Sequence, residues 1–206
     1  MVTIREPVLR PTSIAELLPT QITVGMREVR AKQSWQDQDA KKKAEFLGRH
    51  MIPVVRGFKE RLYVTDHHHL SLALHNEGVE SVLVVVVADL RSLAEDEFWV
   101  FLDNRGLVHP YDSEGRRCNF EQIPRRIDGL KDDPFRSLAG ELRRIGGFAK
   151  DTTPFSEFLW ADFLRRRISR ATAKDDFPKA LKQAMKLAKS PLAGHLPGWS
   201  EPHEDR

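Results

Sequence analysis

The chain has little cysteine, no long apolar run and no large charge imbalance. Its single cysteine, Cys118, excludes an intrachain disulfide framework and a zinc site built from cysteines. The longest apolar run, residues 82–88, is much shorter than the roughly 20 residues needed to cross a bilayer, so we expect no membrane partner. With 33 basic and 30 acidic residues, the net charge of +3 does not by itself indicate nucleic-acid binding.

Residues 1–7 carry no apolar core of the kind that a secretory signal needs, so we expect cytoplasmic residence. The chain is 40% hydrophobic over 206 residues, which is enough for a sizeable core and for independent folding. Its oligomeric state is left open by the sequence.

The periodicity of apolar residues predicts an α+β fold with two dissimilar halves. In the first half it predicts a short helix opened by Ser13, a helix over 40–47, a helix after residue 66, and strands at 21–24, 52–56, 62–65 and 81–88. In the second half it predicts helices at 93–104, 133–145, 153–168 and 177–189, with no comparable strand signal. We therefore expect a small mixed-sheet α/β core in residues 1–90, a helical region packed on it in residues 91–189, and a flexible tail in residues 190–206.

The most informative segment is the junction where the predicted strand 62–65 passes into a helix. Asp66, His67, His68 and His69 stand there in succession. Leu70 and later apolar residues at helical spacing place the histidines in the opening turn. Because functional groups gather on such loops, this segment is the leading candidate site.

A helix start leaves backbone N–H groups without intrahelical partners and carries partial positive charge, so it favours a phosphate or carboxylate by about 0.3–1 kcal/mol. We assign Asp66, His68 and His69 to catalysis, with Asp66 as orienting group and a histidine as general acid or base. A divalent ion, Mg²⁺ or Mn²⁺, would be held by Asp66, His67 and His69, since three adjacent helical side chains cannot all converge on one ion.

Four residues of the helical half are candidates for the same site. Arg136 stands near the start of a helix that Asp133 caps, so it could reach a neighbouring pocket. Lys150 is a loop cation able to approach a phosphate. Asp162 shares the apolar stripe of its helix and needs a cationic or hydrogen-bonding partner. Glu157 and Asp162 are interpreted as supporting groups, with a structural ion pair to arginine as the alternative for Asp162.

The segments 62–69 and 19–25 resemble the ParB/sulfiredoxin superfamily, most closely the branch named "ParB-like putative nucleases". The blocks 133–139 and 154–162 extend the resemblance to about residues 12–170. It implies a strand-turn-helix set against nucleotide phosphates, with a nucleotide as ligand and Thr20, Gln21 and Gly25 among the ligand-binding residues together with His67, Arg136 and Lys150.

The chain departs from the family motif at two positions. Asp66 and His69 match the family's acidic and histidine positions, whereas His67 replaces the usual glycine and Leu70 the usual arginine. Losing the glycine crowds the approach of a phosphate, and losing the arginine removes a bidentate clamp.

Three functional hypotheses follow. The first is an enzyme acting on a phosphate-containing ligand, either a phosphodiester hydrolase (nuclease) or a phosphotransferase. The second is a non-catalytic module that binds a nucleotide, or binds DNA through the arginine-bearing helices. The third is purely structural, with the histidines as a polar patch and Asp162 in a core ion pair.

Overall fold

A computed structural model describes residues 10–33, 46 and 48–201. The helix predicted at 40–47 lies, except for Phe46, outside these residues. The chain divides into two compact units by its internal contacts. Within the described residues, the first takes 10–22, 29–33, 46, 48–110 and 118–130, and the second takes 23–28, 111–117 and 131–201. The domain boundaries expected from the sequence stay a prediction.

Both strands and helices are present, so the predicted α+β class is confirmed. The strands within the described residues are β1 Arg10–Ser13, β2 Leu17–Pro19, β3 Thr23–Val24, β4 Ile52–Arg56, β5 Leu62–Val64, β6 Ser81–Asp89 and β7 Lys131–Asp132. The α-helices there are α1 Met26–Ala31, α2 His68–Asn76, α3 Glu95–Asn104, α4 Pro134–Arg144, α5 Ser156–Arg165, α6 Arg170–Asp175 and α7 Phe177–Ala188.

The first unit is built on a mixed five-stranded sheet in the order β1-β6-β4-β5-β2. The predicted strands β4 and β5 pair antiparallel across a short turn, and β6 lies parallel to β4, a pairing that the sequence did not predict. The branched apolar residues of β4 explain its central place, because Ile52, Val54 and Val55 are completely buried. Helix α2 follows β5 directly and ends near Gly78, whose φ of +73° lies in the left-handed region that glycine adopts without strain.

The second unit is held by a helical core. Helix α4 packs on α5, α6 and α7 around a cluster that includes Trp160, Leu138 and Leu142. Asp133 caps α4 as predicted, its carboxylate accepting the N–H of Phe135 at 2.9 Å, and Pro134 occupies the first turn. A two-residue parallel ladder joins β3 to β7 within this unit.

Two local predictions are wrong. The capping-box pattern at Ser13 predicted a helix, but Ser13 ends β1, a single 3₁₀ turn follows at Ile14–Glu16, and β2 begins at Leu17. Pairing with β5 and β6 outweighs the weak local helix signal. The helical half also contains the short strand β7, which has no alternating pattern because it is only two residues long.

The predicted tail begins as packed structure. Ala193 and Leu196 are buried in the core cluster of the second unit, and the carbonyl of Pro197 accepts a hydrogen bond from the Trp160 indole at 2.8 Å. Residues 202–206 lie outside the described residues.

Candidate functional site

The junction between β5 and α2 is a sharp left-handed turn. His67, the residue before the helix, has φ +65° and ψ 26°, and no side chain caps the first turn. The Asp66 carboxylate accepts the backbone N–H of His67 at 2.6 Å. The first helical hydrogen bond runs from the N–H of Ser71 to the His67 carbonyl at 2.8 Å. The helix therefore starts with its positive end unopposed by a capping side chain.

The backbone of His67 explains why a glycine stands at this position of the motif. A side chain in the left-handed region costs about 1–2 kcal/mol, a cost that glycine avoids. His67 also leaves Nδ1 buried with no hydrogen-bond partner in the described part of the chain. The turn thus holds a residue other than glycine in a strained conformation.

His68 is a buried link rather than a surface group. The residue is only 4% exposed, and its ring nitrogen Nε2 accepts a hydrogen bond from the backbone N–H of Thr20 at 3.1 Å. The Thr20 hydroxyl donates in turn to the Val64 carbonyl at 2.8 Å. Burial lowers the pKa of His68 to about 3, because the charged ring cannot be solvated there, and nearby Asp66 only partly opposes this. His68 is therefore neutral at pH 7, and the geometry favours positioning over the proton transfer predicted for it.

Asp66 is exposed and His69 is 8% exposed, so the acid and this imidazole differ in their access to solvent. Thr20 and Gln21, predicted as ligand contacts, are 1% and 5% exposed and stand behind the turn. The junction therefore brings together Asp66, the three histidines and Thr20. Their catalytic and ligand-binding roles stay predictions.

The predicted metal ligands do not form a metal site in this conformation. Among residues 10–33, 46 and 48–201, no group of three or more His, Cys, Asp or Glu side chains is close enough to hold an ion. The contact between Asp66 and His67 is a hydrogen bond from the His67 backbone N–H to the Asp66 carboxylate, and the His67 ring takes no part in it.

In the second unit, Arg136 belongs to a chain of ion pairs. It is 7% exposed and contacts the carboxylates of Glu28, at 3.5 Å, and Glu157. Glu157 also accepts from Nε of Arg143 at 2.5 Å. Gly140 makes room for this cluster, since a Cβ there would lie 3.1 Å from an Arg136 nitrogen. Both terminal nitrogens of Arg136 are thus already matched by carboxylates.

Asp162 has the cationic partner that its position required. Arg165 bridges Asp162 and the buried Asp133, approaching Asp133 at 2.5 Å. Burial raises the pKa of Asp133 to about 6, while Arg165 and backbone N–H groups pull it down. This arrangement matches the structural ion pair held as the alternative for Asp162.

The two remaining predicted ligand residues have different environments. Gly25 is buried, and a Cβ added to it would lie 2.8 Å from the backbone nitrogen of Ser137, so this glycine permits close packing on α4. Lys150 is exposed in the loop after α4.

Sequence reasoning missed a cavity of about 530 Å³ in the first unit, next to α3. Its lining includes Tyr63, Trp99 and Phe120, which come from a strand, a helix and a 3₁₀ turn far apart in the chain. No local pattern joins these aromatic residues, although Trp99 beside Phe98 in a short helix was a usable signal for aromatic packing.

Comparison with known proteins relates the chain to a protein family and to a solved structure. The family model described as "Putative ParB-like nuclease" matches residues 10–166. The crystal structure of protein Atu1540 from Agrobacterium tumefaciens is similar at 53% sequence identity and a TM-score of 0.91, covering 97% of this chain and 100% of that one. No protein of curated function matches significantly. Separately, none of the helices in the described residues is long and apolar enough to span a membrane.

Proposed function

This chain belongs to the ParB-like nuclease family, and from that premise we propose that it hydrolyses a phosphodiester at the start of α2. The observation that carries the proposal is the uncapped left-handed start of α2, where Asp66 and His69 stand at the acidic and histidine positions of the family motif. A helix start of this kind attracts an anion through its backbone N–H groups and its partial positive charge.

In the proposed reaction the phosphate lies at the first turn of α2. Asp66, which is exposed, takes a proton from the attacking water as the new P–O bond forms. The bond from phosphorus to the leaving oxygen breaks, and His69 supplies the proton that this oxygen needs. His68 does not exchange protons; by accepting from Thr20 it fixes the helix start against the loop after β2.

Magnesium or manganese remains a proposal that rests on the chemistry of the reaction. A divalent ion commonly offsets the charge that builds on phosphate oxygens during transfer. The described residues show no three-ligand group to hold it. The activity is therefore to be measured with each metal and with a chelator.

The test is hydrolysis of bis(p-nitrophenyl) phosphate and of single- and double-stranded DNA by the full chain. Replacing a general acid or base typically costs ~10²–10⁴-fold in rate. We expect Asp66→Asn and His69→Gln each to lose at least roughly 100-fold while retaining the wild-type unfolding temperature. His75→Gln, at the opposite end of the same helix, is the matched control and should retain full activity.

Full activity in both Asp66→Asn and His69→Gln would refute the assigned roles. An inactive wild-type chain under all metal conditions would refute the hydrolase. If a nucleotide then still raised the unfolding temperature, the non-catalytic nucleotide-binding module would be the better description. The DNA-binding form of that alternative predicts an affinity that falls steeply with added salt.

A further inference from the structure

The cavity beside α3 has no part in the proposed hydrolysis. Its volume of about 530 Å³ lies within the range of small-molecule sites, which is about 300–1,000 Å³. All its lining residues belong to the first unit. Its deepest surface is apolar, with Phe58 at 8%, Tyr63 at 1% and Ile123 at 5% exposure.

One wall of the cavity is a set of aromatic rings in contact. Trp99 lies edge-on to Tyr63, with ring centroids 5.4 Å apart and an interplanar angle of 84°. On its other side Trp99 stacks with Phe120 at 5.6 Å and 14°. Trp99 and Phe120 are only partly buried, so some ring surface stays accessible. Such a wall favours a flat aromatic ligand, since aromatic pairs gain about 0.5–1.5 kcal/mol beyond the area that they bury.

The charges nearest the buried end of the cavity are net positive. Burial raises the pKa of the Tyr63 phenol, and Arg61, which interacts with its hydroxyl, acts in the opposite direction. Besides Arg61, Arg125 and Glu95 also act electrostatically on this hydroxyl. Of the charged groups that act on this hydroxyl, two are guanidinium groups and one is a carboxylate. The whole lining is balanced, with three cations and three acids: Lys59, Arg61, Arg125, Glu95, Asp96 and Glu121. The positive charge is therefore concentrated at the Tyr63 end. A planar guanidinium recognises a carboxylate or phosphate through two parallel hydrogen bonds.

The rim carries a strained turn. Lys59 and Glu60, two consecutive residues without the freedom of glycine, have φ of 56° and 61°. Each costs about 1–2 kcal/mol in this region. Arg91 holds Glu60 through an ion pair at 2.8 Å. Lys59 lines the cavity and so adds a third cation to its edge.

We propose that this cavity binds a small molecule with a flat aromatic ring and one carboxylate or phosphate group, the ring lying on Trp99 and Phe120 and the anion meeting Arg61 and Arg125. This binding site is separate from the hydrolase proposal and can hold if that proposal fails. A purely cationic ligand is disfavoured, because the guanidinium beside the Tyr63 hydroxyl occupies the end where its charge would lie.

The experiment is calorimetric titration of the full chain with five probes. They are 2-naphthoate, 2-naphthyl phosphate, the neutral 2-naphthamide, and the ring-free anions acetate and inorganic phosphate. We expect at least one naphthyl anion to bind with a Kd below roughly 1 mM, as the contact per atom of such a fragment allows. The amide should bind at least 10-fold more weakly, and the ring-free anions should give no measurable heat. The stronger of the two naphthyl anions identifies the head group.

Variants of neighbouring arginines give a matched control. Arg125→Gln and Arg61→Gln should each weaken the naphthyl anion at least 10-fold. Arg126 directly follows Arg125 in the chain, but it pairs with Asp128 and does not line the cavity. Arg126→Gln should therefore leave the affinity unchanged. Trp99→Leu should weaken all ring-containing probes.

Equal affinity for amide and carboxylate, or the same loss in Arg126→Gln as in Arg125→Gln, would overturn the anion assignment. Binding of inorganic phosphate as tight as that of 2-naphthyl phosphate would overturn the aromatic contact. If no probe gives heat of binding at a concentration of roughly 10 mM, the proposed site is refuted. Because Arg61, Arg125 and Arg126 are all exposed, these variants test binding without depending on the tolerance of the core.

Discussion

A histidine held neutral by burial makes stability depend on pH in a way that a single variant can reveal. Replacing His68 by Gln removes the titrating ring, while the Gln side-chain oxygen can still accept the Thr20 N–H that His68 Nε2 accepts at 3.1 Å. The folded pKa of His68, about 3, is below its ordinary value of 6.5. Between these values the unfolded chain binds the proton and the folded chain does not, so the contribution of His68 to stability is lost as the pH falls below 6.5.

The size of the effect follows from the shift. A difference of 3.5 pKa units at about 1.36 kcal/mol per unit gives about 5 kcal/mol over the whole range. Between pH 6.5 and 4.5 the wild-type chain should lose about 2 kcal/mol relative to His68→Gln. We expect Gln to cost about 1–2 kcal/mol at pH 7 through imperfect fit in the buried site. The two stability curves should therefore cross near pH 5.5.

The assay is urea unfolding followed by circular dichroism at half-unit steps from pH 4.5 to 7.5, for both chains. Comparing the difference between them cancels the titration of all the other groups. His75→Gln, in the same helix but partly exposed, is the control for replacing a histidine of α2 by glutamine. In wild type, the NMR signal of the His68 ring should show no titration down to pH 4.5.

Parallel curves for wild type and His68→Gln would refute the argument. They would mean that the ring binds its proton at the same pH in the folded and the unfolded chain, so that burial does not lower its pKa. A crossing in the opposite direction, with the wild type gaining as pH falls, would require a partner that favours the charged ring.

Two further predictions concern backbone and burial. His67→Gly should raise the free energy of unfolding by about 1 kcal/mol, since it relieves a residue at φ +65°. Gly78→Ala, at φ +73° with open space around it, should lower the free energy of unfolding by a similar amount. Thermal melts check both variants, and a lower melting temperature for His67→Gly or a higher one for Gly78→Ala would contradict the argument. Burial raises the pKa of Asp133 from 3.8 to about 6, so its contribution is present below pH 3.8 and lost as the pH rises through 6. In urea titrations Asp133→Asn should therefore gain up to about 3 kcal/mol on wild type between pH 4 and 7, and a constant difference between the two chains would contradict this.

Much of the fold could be predicted from local patterns. The strand pair at 52–56 and 62–64, strand β6 and the helices α2, α3, α4 and α7 follow from the alternation or helical spacing of apolar residues, and Asp133 capped α4 as its position required. Where the local signal was weak, as at Ser13, pairing with distant strands decided the structure.

The candidate site was located by the sequence but not resolved by it. Asp66 and three histidines at the end of a strand marked the junction, since polar groups there meet a helix start whatever the remaining structure is. Three adjacent imidazoles are chemically identical in a sequence. Only packing decided that His68 is buried, because its partner Thr20 is 48 residues away in the chain.

The same division holds for the charged residues and the cavity. The sequence by itself determined that Asp162 needs a partner, because a carboxylate among apolar residues is costly. Which arginine supplies it, and that Asp133 shares it, was decided by tertiary structure. The cavity lined by Tyr63, Trp99 and Phe120 depends wholly on chain segments brought together by folding. Local periodicity shows which residues will be buried and so need a partner. Which residue becomes that partner depends on contacts between segments that are distant in the chain.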